Sequence, residues 1–265
     1  MKLFYRQFGE EGTPLIILHG IFGISDNWVT IGRRLGENFR VFIPDQRNHG
    51  QSPHSSTFNY FALVEDLAEF INDHHLYNPI IIGHSMGGKV AMNFALEYPG
   101  RVEKLVVIDI SVRSYPARPE HMMVLQTMMD ADFDRYPTRA EMQRFIEERI
   151  RQPRLQKFVM KNLQIVGRKR LSWRLNIQGI YENLDHVFSA VEHPGTFTGP
   201  TLFIRGGNSD YVPEEDFERI RKNFPNAQFE TIKGASHWVH ADRPDELCSV
   251  LTNFLGKACS VTSRS

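Results

Sequence analysis

In the run Pro79-Ile80-Ile81-Ile82-Gly83-His84-Ser85-Met86-Gly87-Gly88-Lys89-Val90-Ala91-Met92-Asn93-Phe94-Ala95, the apolar pattern changes period. Three isoleucines after a proline predict a short, fully buried strand, and the residues beyond the turn place Val90, Ala91, Phe94 and Ala95 on one helical face. Gly83-His84-Ser85-Met86-Gly87 joins the two. So tight a turn forces Ser85 into a strained backbone conformation and pushes its Oγ out of the sheet, with glycine two residues to either side leaving room. Ser85 is therefore a candidate nucleophile. The Met86 N–H, at the positive end of the helix, points towards the place where an oxyanion would form.

Two other readings compete for these residues. Gly83 to Lys89 also spells G-x-x-x-x-G-K, but a phosphate loop needs Ser or Thr next to hold magnesium, and Val90 stands there. G-x-S-x-G also arises by chance in glycine-rich turns. The flanking strand and helix, and suitable partners elsewhere in the chain, argue against chance.

Outward from this unit, strands and helices alternate. Upstream, Lys2 to Phe8 suits an edge strand, and Leu15-Ile16-Ile17-Leu18 a buried strand ending in His19-Gly20-Ile21-Phe22-Gly23. A helix follows from Ser25 or Asp26 to about Leu35; Val41-Phe42-Ile43 then runs into the polar loop Asp45 to Ser52, and a helix covers Tyr60 to His74. Downstream, Leu105-Val106-Val107-Ile108 ends at Asp109, Thr201 to Ile204 and Phe229 to Ile232 are further strands, and helices cover Glu214 to Asn223 and Pro244 to Leu255. Such alternation predicts a parallel sheet, whose ligands bind outside the strands' carboxyl ends. His19, Asp45, Ser85 and Asp109 all fall at that edge.

Between residues 113 and 195 the texture changes. Helical patterns (His121 to Met129, Arg139 to Ile150, Leu155 to Val166) replace strands, with methionines at 122, 123, 128, 129, 142 and 160. The expectation is a core of residues 1–112 and 196–265, with 113–195 inserted as a helical lid that supplies apolar substrate contacts. The bland alternative is a solvated helical subdomain whose methionines fill its own core. Arg168-Lys169-Arg170 reads as a surface turn rather than an anion site, and the polar tail 260–265 as disordered.

Composition bounds the function. The 265 residues carry 31 Lys plus Arg against 31 Asp plus Glu, a balance without the global charge that recruits nucleic acid or an anionic membrane. Cys248 and Cys259 suggest neither a disulfide framework nor a metal site; Cys248 reads as a core thiol. The N-terminus has no long apolar run, and a cytoplasmic protein without integral membrane association is expected.

Acyl transfer by serine needs a base, an acid to orient it, and oxyanion donors. Of eleven histidines, His237 is the best base, following the last strand in a small-residue loop and completing the order Ser, acid, His. His84 stands too close to the nucleophile's turn and should point elsewhere. His74 and His75 close a helix, and His240 reads as structural. His237-x-x-His240 lacks a clear third metal ligand, so no metal and no cofactor are expected.

By its residues the chain resembles the α/β-hydrolase superfamily: His-Gly at 19–20, Asp-x-Arg-x-His-Gly-x-Ser at 45–52, Gly-His-Ser-Met-Gly-Gly at 83–88 and Gly-x-x-His-Trp at 234–238. His-Gly-Ile-Phe-Gly, Asp-Gln-Arg-Asn-His-Gly, Ile-Asp-Ile and Gly-Gly-Asn-Ser-x-Tyr-Val look like a subgroup, the bacterial YbfF-type esterases and animal ABHD11-like hydrolases. The resemblance implies an α/β-hydrolase fold and hydrolysis of short-chain esters, and of acyl-CoA thioesters, without metal or cofactor. It also bears on the acid. Most of the superfamily carries it where this chain has Ser209, with Asp210 displaced by one; in the subgroup the residue matching Asp109 is the implied acid and the serine matching Ser209 joins it. Ser85, His237 and Asp109 with Ser209 as bridge are thus expected, Asp210 being the rival. The family pattern puts the second oxyanion donor at Ile21, with Phe22 as fallback, and both side chains at an apolar mouth. His19, Asp45 and Arg47 are expected to fix loops, and Lys89 to lie on the helix surface. The substrate is expected to be a small acyl ester or thioester. A catalytically silent ligand receptor, a lipase, an acyltransferase and a carbon–carbon bond hydrolase are the other readings of the same residues.

Overall fold

The computed structural model of the protein describes residues 1–167 and 170–256. Arg168, Lys169, Cys259 and the tail 260–265 lie outside the described residues.

In chain order the elements are β1 (Tyr5–Phe8), β2 (Pro14–Leu18), α1 (Val29–Leu35), β3 (Arg40–Pro44), α2 (Tyr60–Asp73), β4 (Ile80–His84), α3 (Met86–Glu97) and β5 (Leu105–Ile108). Then come α4 (Pro119–Met129), α5 (Arg139–Arg149), α6 (Pro153–Lys161), β6 (Leu163–Val166), β7 (Arg170–Trp173), α7 (Ile177–Glu182) and α8 (Leu184–Phe188). The chain closes with β8 (Thr201–Gly206), α9 (Phe217–Asn223), β9 (Ala227–Ile232), α10 (Val239–Asp242) and α11 (Pro244–Leu255).

Among the described residues seven strands form one sheet in the order β1-β3-β2-β4-β5-β8-β9, with β1 antiparallel at the edge and the others parallel. Its strands are apolar on both faces because both are covered, as parallel crossovers require. Alternate residues divide cleanly. Leu15 and Ile17 of β2, with Ile80 and Ile82 of β4, pack with Ile31 and Leu35 of α1 and Leu247 and Leu251 of α11. Ile16, Leu18 and Ile81 pack the other way, with Leu63 and Leu67 of α2 and Val90 and Phe94 of α3. Cys248 is buried in the first of these layers.

The strand order reverses between β3 and β4, on either side of β2, which opens a crevice at the carboxyl ends of β2 and β4. Parallel register makes that edge level: Leu18 pairs Gly83, His84 pairs Ile108, and Ile108 pairs Ile204. The residues that follow each strand therefore emerge side by side. Close approach of α3 to β2 depends on glycine, since a Cβ on Gly87 would stand 2.4 Å from the Leu18 carbonyl oxygen. Gly87→Ala should therefore cost about 3 kcal/mol or more, the upper end for overpacking, because backbone cannot yield. A thermal scan should read this as a Tm lower by about 6 to 12 °C.

The segment between β5 and β8 departs from the expected texture at one place. Leu155 to Val166 is not one helix: α6 ends at Lys161, and Leu163–Val166 turns back against Arg170–Trp173 as an antiparallel hairpin. Asn162 is the reason. Its buried side chain donates to the Phe22 carbonyl at 2.9 Å, a tertiary bond that holds the chain at the helix end. Val124, Met128, Met142, Phe145, Ile146 and Val159 of this segment join the apolar layer that also holds α2 and α3.

Candidate active site

Ser85 sits between β4 and α3 with φ 53° and ψ −121°, outside the conformations an L-residue ordinarily adopts. Strain of this kind costs on the order of 1 to 3 kcal/mol and persists only where the surroundings over-determine it. Here the Ser85 N–H donates to the Ile108 carbonyl at 3.0 Å, and the Ser85 carbonyl accepts from Gly88 and Lys89. A Cβ on Gly83 would lie 2.2 Å from the Gly87 carbonyl oxygen, so the two flanking glycines meet each other across the turn. The Oγ is left facing a cavity of about 590 Å³.

Across that cavity edge lies His237, in the loop after β9. Its Nε2 is 3.0 Å from Ser85 Oγ, and its Nδ1 is 2.8 Å from Asp109 Oδ2. Asp109 follows β5 and is fully buried. Its Oδ1 accepts from the Gly206 N–H at 2.8 Å, and Ser209 Oγ donates to Oδ2. The carboxylate thus has three partners, and the imidazole is held at both nitrogens. Asp210, the rival, is 77% exposed and pairs with Arg118 at 2.7 Å, which holds its carboxyl below the usual range. Its side chain goes to the surface while that of Ser209 turns inward.

The loop after β2 supplies the facing wall. Phe22 donates its N–H to His49 Nε2 at 3.2 Å, so the fallback oxyanion donor is already spent. Among the described residues the N–H groups of Ile21 and Met86 have no protein acceptor. The side chains of Ile21 and Phe22 both line the cavity, with Val124, Leu155, Phe158 and Trp238. Helices α4 and α6 of the segment 113–195 therefore reach the cavity, and their apolar contacts there are valine, leucine and phenylalanine rather than methionine. Met128, Met142 and Met160 are buried in packing instead.

The loop-fixing groups behave as expected. His19 Nε2 accepts from the Gln46 N–H at 3.0 Å, Asp45 accepts from the N–H groups of Ser25 and Gln51, and Arg47 forks onto Asp66. His84 donates through Nε2 to the His237 carbonyl at 2.8 Å, and His240, half-buried, stacks on Trp28 with ring centres 4.2 Å apart.

Burial pushes His19 down to about 4 and His49 and His84 to about 3, so all three are neutral in the fold. An unfolded histidine takes up a proton near pH 6.5, so the unfolded chain binds more protons below that pH. Their stabilisation is full above about pH 6.5 and declines towards pH 4. A urea midpoint lower at pH 5.0 than at pH 7.5 is expected; equal midpoints would remove this account.

Lys89 corrects the sequence reading. It is 1% exposed, not on an open surface, because the segment 113–195 covers the polar side of α3 as the sheet covers its apolar side. Its Nζ donates to the Arg113 carbonyl at 2.9 Å and to the Ser189 carbonyl, and lies 5.0 Å from the Tyr115 ring centre. Burial, with help from the Arg113 guanidinium, lowers its pKa to about 7.

Three contacts were invisible in the sequence. Tyr211 stacks on His237, with ring centres 3.8 Å apart and planes at 16°. Arg154 of α6 binds Asp242, which accepts from the Ser236 N–H at 2.8 Å, so the segment 113–195 also braces the histidine loop. Arg118 lies over the far face of Tyr211, its Cζ 3.9 Å from the ring centre. Only the Tyr-Val of the Gly-Gly-Asn-Ser-x-Tyr-Val run hinted at any of this.

Residues 13–244 match the α/β-hydrolase fold family. The chain belongs to that family. This α/β hydrolase is 35% identical over 263 residues to the sn-1-specific diacylglycerol lipase ABHD11 of Danio rerio, covering 96% of this chain and 83% of that protein. It is 31% identical over 261 residues to the esterase YbfF of Escherichia coli K12, covering 96% and 99%. A solved marine microorganism esterase matches it with a TM-score of 0.93 at 38% identity, covering 96% and 99%. The α/β hydrolase is a carboxylic ester hydrolase of the serine type, acting on small molecules. Among its described residues no helix is long and apolar enough to cross a membrane.

Proposed function

We propose that Ser85 is the nucleophile, His237 the general base, Asp109 the acid that orients it, and Ser209 an auxiliary donor to that acid. The observation carrying this reading is the unbroken line from Ser85 Oγ to His237 Nε2 at 3.0 Å and from His237 Nδ1 to Asp109 Oδ2 at 2.8 Å. Ser85 Oγ attacks the ester carbonyl carbon as its proton passes to Nε2. The carbonyl oxygen, now negative, is met by the N–H groups of Met86 and Ile21, whose freedom from other acceptors supports the assignment. Collapse expels the alcohol, which takes the proton from Nε2. Water then repeats the sequence on the acyl-enzyme and releases the acid.

The substrate class we assign is the short-chain acyl ester, extending to acyl-CoA thioesters. The apolar wall of Ile21, Phe22, Val124, Leu155, Phe158 and Trp238 suits an acyl chain. Lys157 and Lys161, one turn apart on α6 and lining the same cavity, suit an anionic leaving group. The segment 113–195 acts in this reading as the cap over the acyl chain, with 1–112 and 196–265 as the catalytic core.

The test is turnover of p-nitrophenyl esters from acetyl to decanoyl, with acetyl-CoA and palmitoyl-CoA alongside and Ser85→Ala as control. Ester turnover lost in the alanine variant is expected. Folded protein that neither turns over any of these nor labels with a serine-reactive phosphonate would instead be a silent receptor.

A further inference from the structure

We propose that Tyr211 is a positioning residue for His237, its ring lying flat on the imidazole and backed by Arg118 from the segment 113–195. This rests on the reading of His237 as the base.

The two hydrogen bonds of His237 leave one motion unrestrained. They act at Nδ1 and Nε2, in the ring plane and at nearly opposite ends of the ring. Tilting of the ring out of its plane carries Nε2 at right angles to its hydrogen bond, which lengthens that bond only at second order, yet it swings the Nε2 lone pair away from the Ser85 hydroxyl. A flat surface against the ring face opposes that motion. Tyr211 supplies one, 3.8 Å away and nearly parallel. The His84 ring is farther from His237, 4.8 Å away, and tilted by 40°, so it limits this tilt less.

Tyr211 is itself fixed. Its carbonyl accepts from Tyr115 Oη at 2.7 Å, and its N–H reaches Ser209 Oγ at 3.3 Å, the same hydroxyl that donates to Asp109. The ring itself is held more loosely, by a long hydrogen bond of 3.5 Å between its hydroxyl and His121 Nε2 and by the Tyr115 ring, whose centre is 5.3 Å away. Arg118 closes that gap. Its guanidinium lies 3.9 Å above the outer face, and Asp210 holds it there at 2.7 Å. A cation over a tyrosine face is attracted by the ring's negative quadrupole. Asp210, set aside as the orienting acid, thus serves the site in another way, by anchoring the arginine that presses Tyr211 onto the base.

The proposal predicts an effect on kcat rather than on substrate binding, because only proton transfer needs the imidazole plane. Tyr211→Phe keeps the stack and should stay within about 2-fold of the parent, whereas Tyr211→Leu should lose about 10- to 100-fold in kcat with KM little changed. Arg118→Met, a partly exposed site where folding is not at stake, should lose about 3-fold in kcat. Rates are taken on a p-nitrophenyl ester, per active site counted by exhaustive phosphonate labelling, and the labelling rate of Ser85 should fall in step with kcat.

Equal rates for the Phe and Leu variants would overturn the proposal. So would a raised KM with kcat held, which would make Tyr211 a wall of the cavity. If the leucine variant does not fold, Arg118→Met with unchanged kcat overturns it alone. Turnover surviving in Ser85→Ala would sink the underlying mechanism instead, whereas a dead alanine variant with equal Phe and Leu rates sinks the stack only.

Discussion

Ser85→Ala should lower ester turnover by about 10⁴-fold or more, the scale on which losing the nucleophile of a serine triad is felt. The effect is this large because nothing nearby replaces the hydroxyl. Ser209 and Ser236, the other serines at the cavity, have their protons committed to Asp109 and Asp242. The fold should survive the change, since the conformation at 85 is set by the backbone bonds to Ile108, Gly88 and Lys89, none of which uses Oγ. Circular dichroism and Tm close to the parent, with turnover gone and phosphonate labelling abolished, is the expected result. Substantial residual turnover would remove Ser85 from the mechanism.

Asp109→Asn should cost about 10⁴-fold in kcat, while Asp210→Asn should stay within about 10-fold. An amide at 109 keeps the shape but offers Nδ1 either a donor or a weaker acceptor, so the imidazole adopts the wrong tautomer and its Nε2 carries the proton instead of taking one. The asparagine has one acceptor oxygen where Asp109 uses two, so its NH₂ faces either the Gly206 N–H or both Ser209 and His237, and a bond is lost either way. Asp210 touches the chemistry only through Arg118, which explains its smaller expected effect. The reverse ranking, measured on one p-nitrophenyl ester at one fixed pH, would return the acid's role to Asp210.

The fold was legible because its decisive features are local. Three isoleucines, a glycine-flanked serine and a helical period within seventeen residues define the strand, turn and helix, and parallel alternation then puts every candidate group at one edge. His237 was legible for the same reason, as a histidine in a small-residue loop after the last strand. What stayed hidden depends on partners distant in sequence. The end of α6 at Lys161 is set by Asn162 reaching Phe22, which no periodicity of Leu155 to Val166 encodes. Lys89 occupies a helix position that is polar by pattern yet covered by residues 113–195. That the Phe22 N–H is spent on His49, leaving Ile21 free, is a fact of geometry alone.

Lys89 also bears on how such a protein can vary. The Arg113 and Ser189 carbonyls, on either side of most of the inserted segment, converge on the one Nζ of Lys89. What lies between them leaves the sheet and returns to it through a single doorway. The entropy of closing a loop grows only slowly with its length, by about 0.6 kcal/mol per doubling, so the sheet is nearly indifferent to how much chain passes through. A grafted segment of another size, joined at these two points, would inherit the same doorway and the same level edge of Ser85, Asp109 and His237, while lining the cavity with different side chains. Diversification of substrate range and preservation of the chemical step are thereby separable in the architecture of this one chain.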